Sequence, residues 1–255
     1  MKARFLLLFA VMLIPMVLGA QNDYWYKKGL DAKDPKDKIE YYTKSIEKAG
    51  ASYCSYLKRG CAKYDFKDYQ GALSDYGKAI EIDPKYTDAY YNRGITKNEL
   101  KDYKGAIADF HKVIEINPKD IAGYGELGIV HSEMKEYDAA IEITLKGLKQ
   151  DPKNATLFEN LGYFYMAKWD ITDAISNFKK CIEIDNKNFD AILGLSTAFY
   201  YKNDKVNSKK YLEQAKSVEP RLKKGMDGIT ELYESGYSYS DKHKATLKKM
   251  FEEFK

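Results

Sequence analysis

The chain has 255 residues, 31% of them charged and 44% hydrophobic, a balance suited to a soluble helical protein. Its 42 Lys and Arg stand against 38 Asp and Glu, a formal charge of +4 that by itself argues neither for nor against nucleic acid. Three cysteines, an odd count, exclude a framework of paired disulfides.

At the start, Lys2 and Arg4 precede an apolar run from Phe5 to Leu18, and Gly19-Ala20 supplies small residues before Gln21. That is the layout of a secretory signal peptide over residues 1–20, cleaved after Ala20. The run is shorter than the ~20 residues a spanning helix needs, so no membrane span is expected in the mature chain. No cysteine follows it, which argues against a lipid anchor. Losing Lys2 and Arg4 lowers the charge from +4 to +2. The expected location is the periplasm or the exterior, where nucleic acid is not an expected partner.

Beyond the leader, one period governs the chain. Gly60, Gly94, Gly128 and Gly162 stand 34 residues apart, and Ala72, Ala106, Ala140 and Ala174 follow each by twelve. Pro84, Pro118 and Pro152 keep the same step, then Asn186, then Pro220. Within residues 53–86, Tyr53, Tyr56, Leu57 and Tyr64 have helical spacing. Gly71-Ala72 opens a second helix with Leu73, Tyr76, Ala79 and Ile80 on one face, and Asp83-Pro84 stops it. The small Gly60 and Ala72 let two antiparallel helices approach, and Tyr76 fills the gap beside them.

This pattern resembles the tetratricopeptide repeat, a helix pair marked by an aromatic, Leu-Gly, Tyr, Ala, an aromatic, Ala and Pro. Five copies span 53–86, 87–120, 121–154, 155–188 and 189–222. Thr144 and Gly147 depart from the pattern in the third, and Ser196 and Ser208 in the fifth. Residues 21–52 read as a degenerate first copy about three residues short, as a unit with one face in water can be. After the repeats, 223–255 reads as capping helices, Leu222–Glu234 and Asp241–Phe254, around "SGYSYS", with Ser240 or Asp241 as N-cap. Leu247, Met250, Phe251 and Phe254 make a stripe that seals the last repeat. The resemblance implies an all-α, right-handed superhelical solenoid of antiparallel helix pairs.

Motifs for chemistry fail on context. Gly123-Tyr-Gly-Glu-Leu-Gly128 spells a dinucleotide fingerprint, but it needs a preceding strand, and Gly128 is the repeat's packing glycine. His131-Ser132-Glu133 are adjacent helix residues pointing apart, and His131 falls in a packing slot. Three scattered histidines make no metal site. Asn154-Ala155-Thr156 matches a glycosylation sequon. Cys54 and Cys61, seven apart on one helix, are about 10.5 Å apart and out of disulfide reach; Cys181 reads as a core thiol. No catalytic residue, cofactor or metal is expected, and the protein is not expected to be an enzyme.

Family resemblance places partner contacts on the first helix of each pair. The groove residues so implied are Asp88, Tyr91, Asn92, Glu99, Glu126, Glu133, Glu159, Asn160, Tyr163, Asp190, Tyr200 and Tyr201. Over all such positions seven acids (these six, Asp88 to Asp190, with Asp65) oppose one base, Lys58. An acidic, tyrosine-bearing groove favours a protein or peptide with a basic segment. The clamp by which co-chaperones of this family hold a C-terminal carboxylate is absent: its slots hold Leu57, Cys61, Asn92, Ala122 and Glu126, and only the asparagine matches. The expected function is a non-catalytic interaction scaffold of the cell envelope. A rival keeps the fold and uses the convex face or the cap to build a homo-oligomer or a membrane complex.

Overall fold

The computed structural model describes residues 24–50, 52–234 and 241–254. The proposed leader, the "SGYSYS" linker and Ser240 lie outside them. Among the described residues every regular element is helical: α1 (24–31), α2 (Pro35–Ala49), α3 (Tyr53–Asp65), α4 (Tyr69–Ile82), α5 (Thr87–Glu99), α6 (Tyr103–Ile116) and α7 (Ile121–Glu133). There follow α8 (Tyr137–Gln150), α9 (Ala155–Ala167), α10 (Ile171–Ile184), α11 (Phe189–Tyr201), α12 (Lys205–Val218), a 3₁₀ turn (Pro220–Lys224), α13 (Met226–Glu234) and α14 (Asp241–Glu253). Consecutive helices pack in pairs, α3 with α4, α5 with α6, α9 with α10, and α11 with α12. This is the expected all-α architecture. The chain forms two compact units, Met1–Glu126 and Leu127–Lys255.

In the first unit the small residues work sterically. A Cβ on Gly60 would stand 2.6 Å from Tyr76 Cε1, and one on Gly94 2.9 Å from Phe110 Cε1. Real Cβ atoms do not come that close, so glycine sets the depth of each helix pair. Gly29 meets Tyr42 in the same way at 2.5 Å. Gly29 and Tyr42 are 13 residues apart, where Gly60 and Tyr76 are 16 apart, so α1–α2 is a helix pair three residues short. Leu57, Ala72, Tyr76, Ala79 and Ala89 form the buried centre.

Two buried carboxylates lace this unit together. Asp75 on α4 accepts two hydrogen bonds from Arg59 on α3, at 2.7 and 2.8 Å, and an ion pair from Lys63 at 2.8 Å. Asp109 on α6 does the same with Arg93 and Lys97 of α5. Both aspartates are almost fully buried, at 2% and 3% exposure, so each charge needs these partners. No sequence motif marks these pairs.

In the second unit the departures from the repeat are repaired locally. Thr144, where an aromatic is usual, bonds back to the Ala140 carbonyl at 2.8 Å, and Phe164 from α9 reaches the space over Gly128. Phe178 is clamped between Gly162 and Gly194; a Cβ on Gly194 would lie 2.6 Å from its Cζ. Ser196 and Ser208, in the glycine and alanine slots of the fifth copy, join through Ser196 Oγ to the Ser208 carbonyl at 2.7 Å. Asn186 takes a proline slot without loss, because Asp185 Oδ1 accepts from Lys187 N at 3.0 Å, the turn bond that Asp83 makes to Lys85 beside Pro84.

Helix starts differ from expectation by two residues. The second helix of the first full pair begins at Tyr69, not at Gly71, since Asp68 is the N-cap and accepts from Gly71 N at 3.0 Å. The cap also differs. In place of one helix over 222–234, the chain makes a 3₁₀ turn, then breaks at Gly225 (φ 65°, ψ −129°), then forms α13. That backbone conformation is open almost only to glycine. Leu247, Met250 and Phe251 of α14 pack with Ile192, Leu193, Leu212, Leu222 and Ile229, and Phe254 lies against the same cluster.

Candidate functional site: the first-helix faces

Within the first unit the acids gather around two tyrosines. Tyr91 on α5 donates its hydroxyl to Glu126 Oε1 on α7 at 3.1 Å while its ring meets Phe110 edge-on. Burial, then the Glu126 carboxylate, push the Tyr91 phenol well above its ordinary pKa. The Tyr64 phenol on α3 is raised too, by burial first and then by Glu99, Tyr69, Asp65 and Glu126. Three carboxylates from three first helices thus act on one phenol. Asp88 and Glu99 are exposed. Asn92 is fixed by donating to the Asp88 carbonyl at 2.7 Å, and Cys61 Sγ lies 3.9 Å from its Oδ1.

Within the second unit the predicted residues separate into three environments. Glu133 is exposed at the end of α7, and Asn160 is half-buried on α9. Glu159 is half-buried on α9 and accepts from Asn188 Nδ2 at 2.8 Å. Desolvation raises its pKa, the Asn188 bond opposes that, and Asp190 and Asp185 add to the rise. Tyr163 donates to the Asp190 backbone carbonyl at 2.8 Å and packs edge-on against Phe178, so its hydroxyl bridges α9 to α11. Burial, then the same three acids, push the Cys181 thiol up to about 12, in keeping with a wholly buried core thiol.

Tyr200 and Tyr201 serve the cap. Tyr200 donates to Glu253 Oε2 of α14 at 2.9 Å, beneath Lys205, whose Nζ is 3.6 Å from the ring centroid and 2.8 Å from the same carboxylate. Tyr201 bonds Thr246 Oγ1 at 2.9 Å. Leu193 and Thr197, at first-helix contact positions of the fifth copy, are fully buried. Family resemblance places these tyrosines at partner-contact positions; in the structure α14 holds them, across 53 and 45 residues of chain that no local pattern links.

His131 is half-buried, with Nδ1 2.7 Å from Glu136 Oε2 on the turn into α8. Ser132 and Glu133 take no part in that contact, as expected for residues pointing elsewhere on a helix. All of Gly123, Gly125 and Gly128 lie inside α7, with no strand before them among the described residues. No group of three metal-ligating side chains occurs among the described residues, and no described helix is long and apolar enough to cross a membrane.

Models of the tetratricopeptide repeat match residues 87–120, 121–154 and 155–188, and a further repeat model matches 60–100. The chain belongs to the tetratricopeptide repeat family, whose members are protein-interaction scaffolds. No curated protein matches it. Among solved structures, a tetratricopeptide repeat protein from Parabacteroides merdae is 13% identical with a TM-score of 0.67, covering 91% of this chain and 99% of that one. The pilF protein of Pseudomonas aeruginosa is 16% identical with a TM-score of 0.66, covering 86% and 99%. YrrB, described as having an unusual peptide-binding site, is 20% identical with a TM-score of 0.53, covering 76% and 99%. At these identities the likeness concerns the fold.

Proposed function

We propose that the protein is a non-catalytic scaffold that holds a basic, extended or helical segment of a partner protein on the first-helix faces of its repeats. The observation that carries this is the Tyr91 hydroxyl orienting Glu126 at 3.1 Å across α5 and α7, on a unit whose exposed Asp65 and Glu99 act with Glu126 to raise the Tyr64 phenol after burial. Oriented carboxylates beside aromatic rings give a cationic side chain both ion pairing and cation–π attraction. The repeats preform this surface, so little ordering cost falls on the scaffold when it binds. In the first unit Asp88 and Asn92 add to this chemistry on α5; in the second, Glu133, Glu159 and Asn160 offer the same chemistry on α7 and α9. We place the work in the cell envelope, after removal of residues 1–20 by a signal peptidase; mass spectrometry of the chain recovered from an envelope extract would show Gln21 as its first residue.

Affinity capture from such an extract tests the binding face. The native chain is compared with a variant carrying Asp88→Lys, Glu126→Lys and Glu159→Lys, checked for helicity by circular dichroism. A partner retained by the first and lost by the still-helical second is the expected result. The same partner on both would remove the first-helix faces from consideration and favour the convex face or the cap.

A further inference from the structure

The molecule carries two surfaces that complement each other, and they lie at different ends of the sequence. The first is at the ends of α3 and α5, where an acid is followed by an apolar residue twice: Asp65-Phe66 and Glu99-Leu100. Both acids are exposed, and Phe66 and Leu100 remain 49% and 39% exposed although they are large and apolar. Lys36 covers only one side of the Phe66 ring, with Nζ 5.4 Å from the centroid. Repetition at one repeat interval makes this a two-pronged edge and not a single stray side chain.

The second is an open hollow of about 530 Å³ in the C-terminal cap. Met226 and Phe254 give it an accessible apolar wall with the core residues Leu222 and Phe251 behind them, and Lys216, Lys223 and Lys224 stand around it with Asp227 and Glu252. Lys216 lies 5.5 Å over the Phe251 ring and pairs with Glu213, and Lys224 pairs with Glu231. Charge favours the match at the scale of the segment. Residues 202–255 carry 13 Lys and Arg against nine Asp and Glu, whereas residues 24–201 carry 27 against 28. The net positive charge of the mature chain therefore resides in its last fifth, the segment to which the hollow belongs.

We propose that the hollow receives the Phe66 edge of a second copy of the chain, Phe66 entering the apolar lining while Asp65 and Glu99 face the lysines. The pairing runs one way, the edge of one copy in the hollow of the next, which makes the contact heterologous. Each copy that docks leaves one edge and one hollow unfilled, and association proceeds beyond a dimer unless it closes into a ring. The hollow has room for a phenyl group, and the lysine contacts at its rim make the association salt-sensitive. The contact does not rest on the partner site proposed above, with which it shares Asp65 and Glu99.

Sedimentation velocity on the purified chain tests it. The expected result is an average mass that rises with concentration past twice the monomer and falls back when salt is raised from about 50 mM to about 500 mM, a range over which the screening length shortens roughly threefold. Asp65→Ser with Phe66→Ser removes the edge, and Lys223→Ser with Lys224→Ser removes the rim; all four side chains are exposed, so both variants should fold. Each variant alone should associate about tenfold more weakly. Mixed one to one, they should form dimers that grow no further, because each supplies the surface the other lacks. A chain that stays monomeric at all concentrations overturns the proposal. So do a dimer that never grows, a mixture that does not recover association, and a monomer that instead binds phosphatidylglycerol vesicles through the lysines. Loss of envelope partners in the capture experiment, with self-association intact, would bear only on the first-helix faces.

Discussion

At the scale of single residues, the most unusual feature is a backbone conformation repeated with the helix pairs. Lys67, Lys101, Lys135, Trp169 and Asn203 close the turn between the helices of a pair with φ between 62° and 69°. A side chain with a Cβ is strained there by ~1–2 kcal/mol, and only Asn203 belongs to a type that visits the region readily. The strain persists because the turn is fixed on both sides: Lys67 N donates to the Tyr64 carbonyl at 2.8 Å, and Asp68 N to the Lys63 carbonyl at 2.8 Å. Replacing Lys67 or Lys135 by Gly should therefore raise stability by ~0.5–1 kcal/mol each, the strain relieved outweighing the extra freedom of glycine in the unfolded chain. Thermal denaturation of the single and double variants checks this, and two sites this far apart in sequence should add. A loss of stability on Lys67→Gly would mean that the lysine side chain itself holds the turn.

At the scale of helices, depth of packing is set by which glycines face an aromatic ring. Gly60 and Gly77 both lie within helices, yet their surroundings are opposite. A Cβ at Gly60 would strike the buried Tyr76 ring, while one at Gly77 would meet nothing within 4 Å. Alanine is the better helix former by ~1 kcal/mol. Gly77→Ala should then stabilise by ~0.5–1 kcal/mol, while Gly60→Ala should destabilise by ~1–3 kcal/mol through overpacking. Urea unfolding of both variants decides it; equal effects would show that the packing glycine is dispensable. This level of the structure was legible in the sequence because steric needs recur at a fixed interval, and glycine, alanine and proline each mark one. What did not recur was hidden. The Arg59–Asp75 and Arg93–Asp109 pairs occur in two copies only, with Ile143 and Asn177 in the equivalent slots of the next two, so no period announced them. The turns with positive φ were hidden for a different reason, since lysine and tryptophan carry no signal for that conformation. Gly225 was passed over because one glycine in a helical pattern is tolerated.

At the scale of the whole molecule, the charge of the first-helix faces was legible as a list of positions, but the state of each group depends on contacts made far along the chain. Tyr200 and Tyr201 belong to the cap for that reason, and Glu159 owes its environment to Asn188 and Asp190 on the next pair. Glu159 gives the proposed binding a pH dependence whose sign can be worked out. Its pKa in the folded chain lies above the unfolded value, so the ionised form is held at a cost. The stability it contributes is complete below its unfolded pKa, about 4.5, and is lost as pH rises through the raised folded value. Glu159→Gln, which can still accept from Asn188, should therefore stabilise the protein at pH 7 and make no difference near pH 4. A bound Lys or Arg reverses the cost by supplying the missing counter-charge, so partner binding must release a proton in the range where free Glu159 is partly protonated. Affinity for a basic segment should rise with pH across that range and fall with added salt, and the rise should flatten in Glu159→Gln. Calorimetry of a captured partner segment between pH 4 and 7.5, in two buffers of different ionisation heat, measures the released proton directly. An affinity independent of pH in the native chain would place the cation away from α9 and leave the acids around Tyr64 and Tyr91 as the seat of binding.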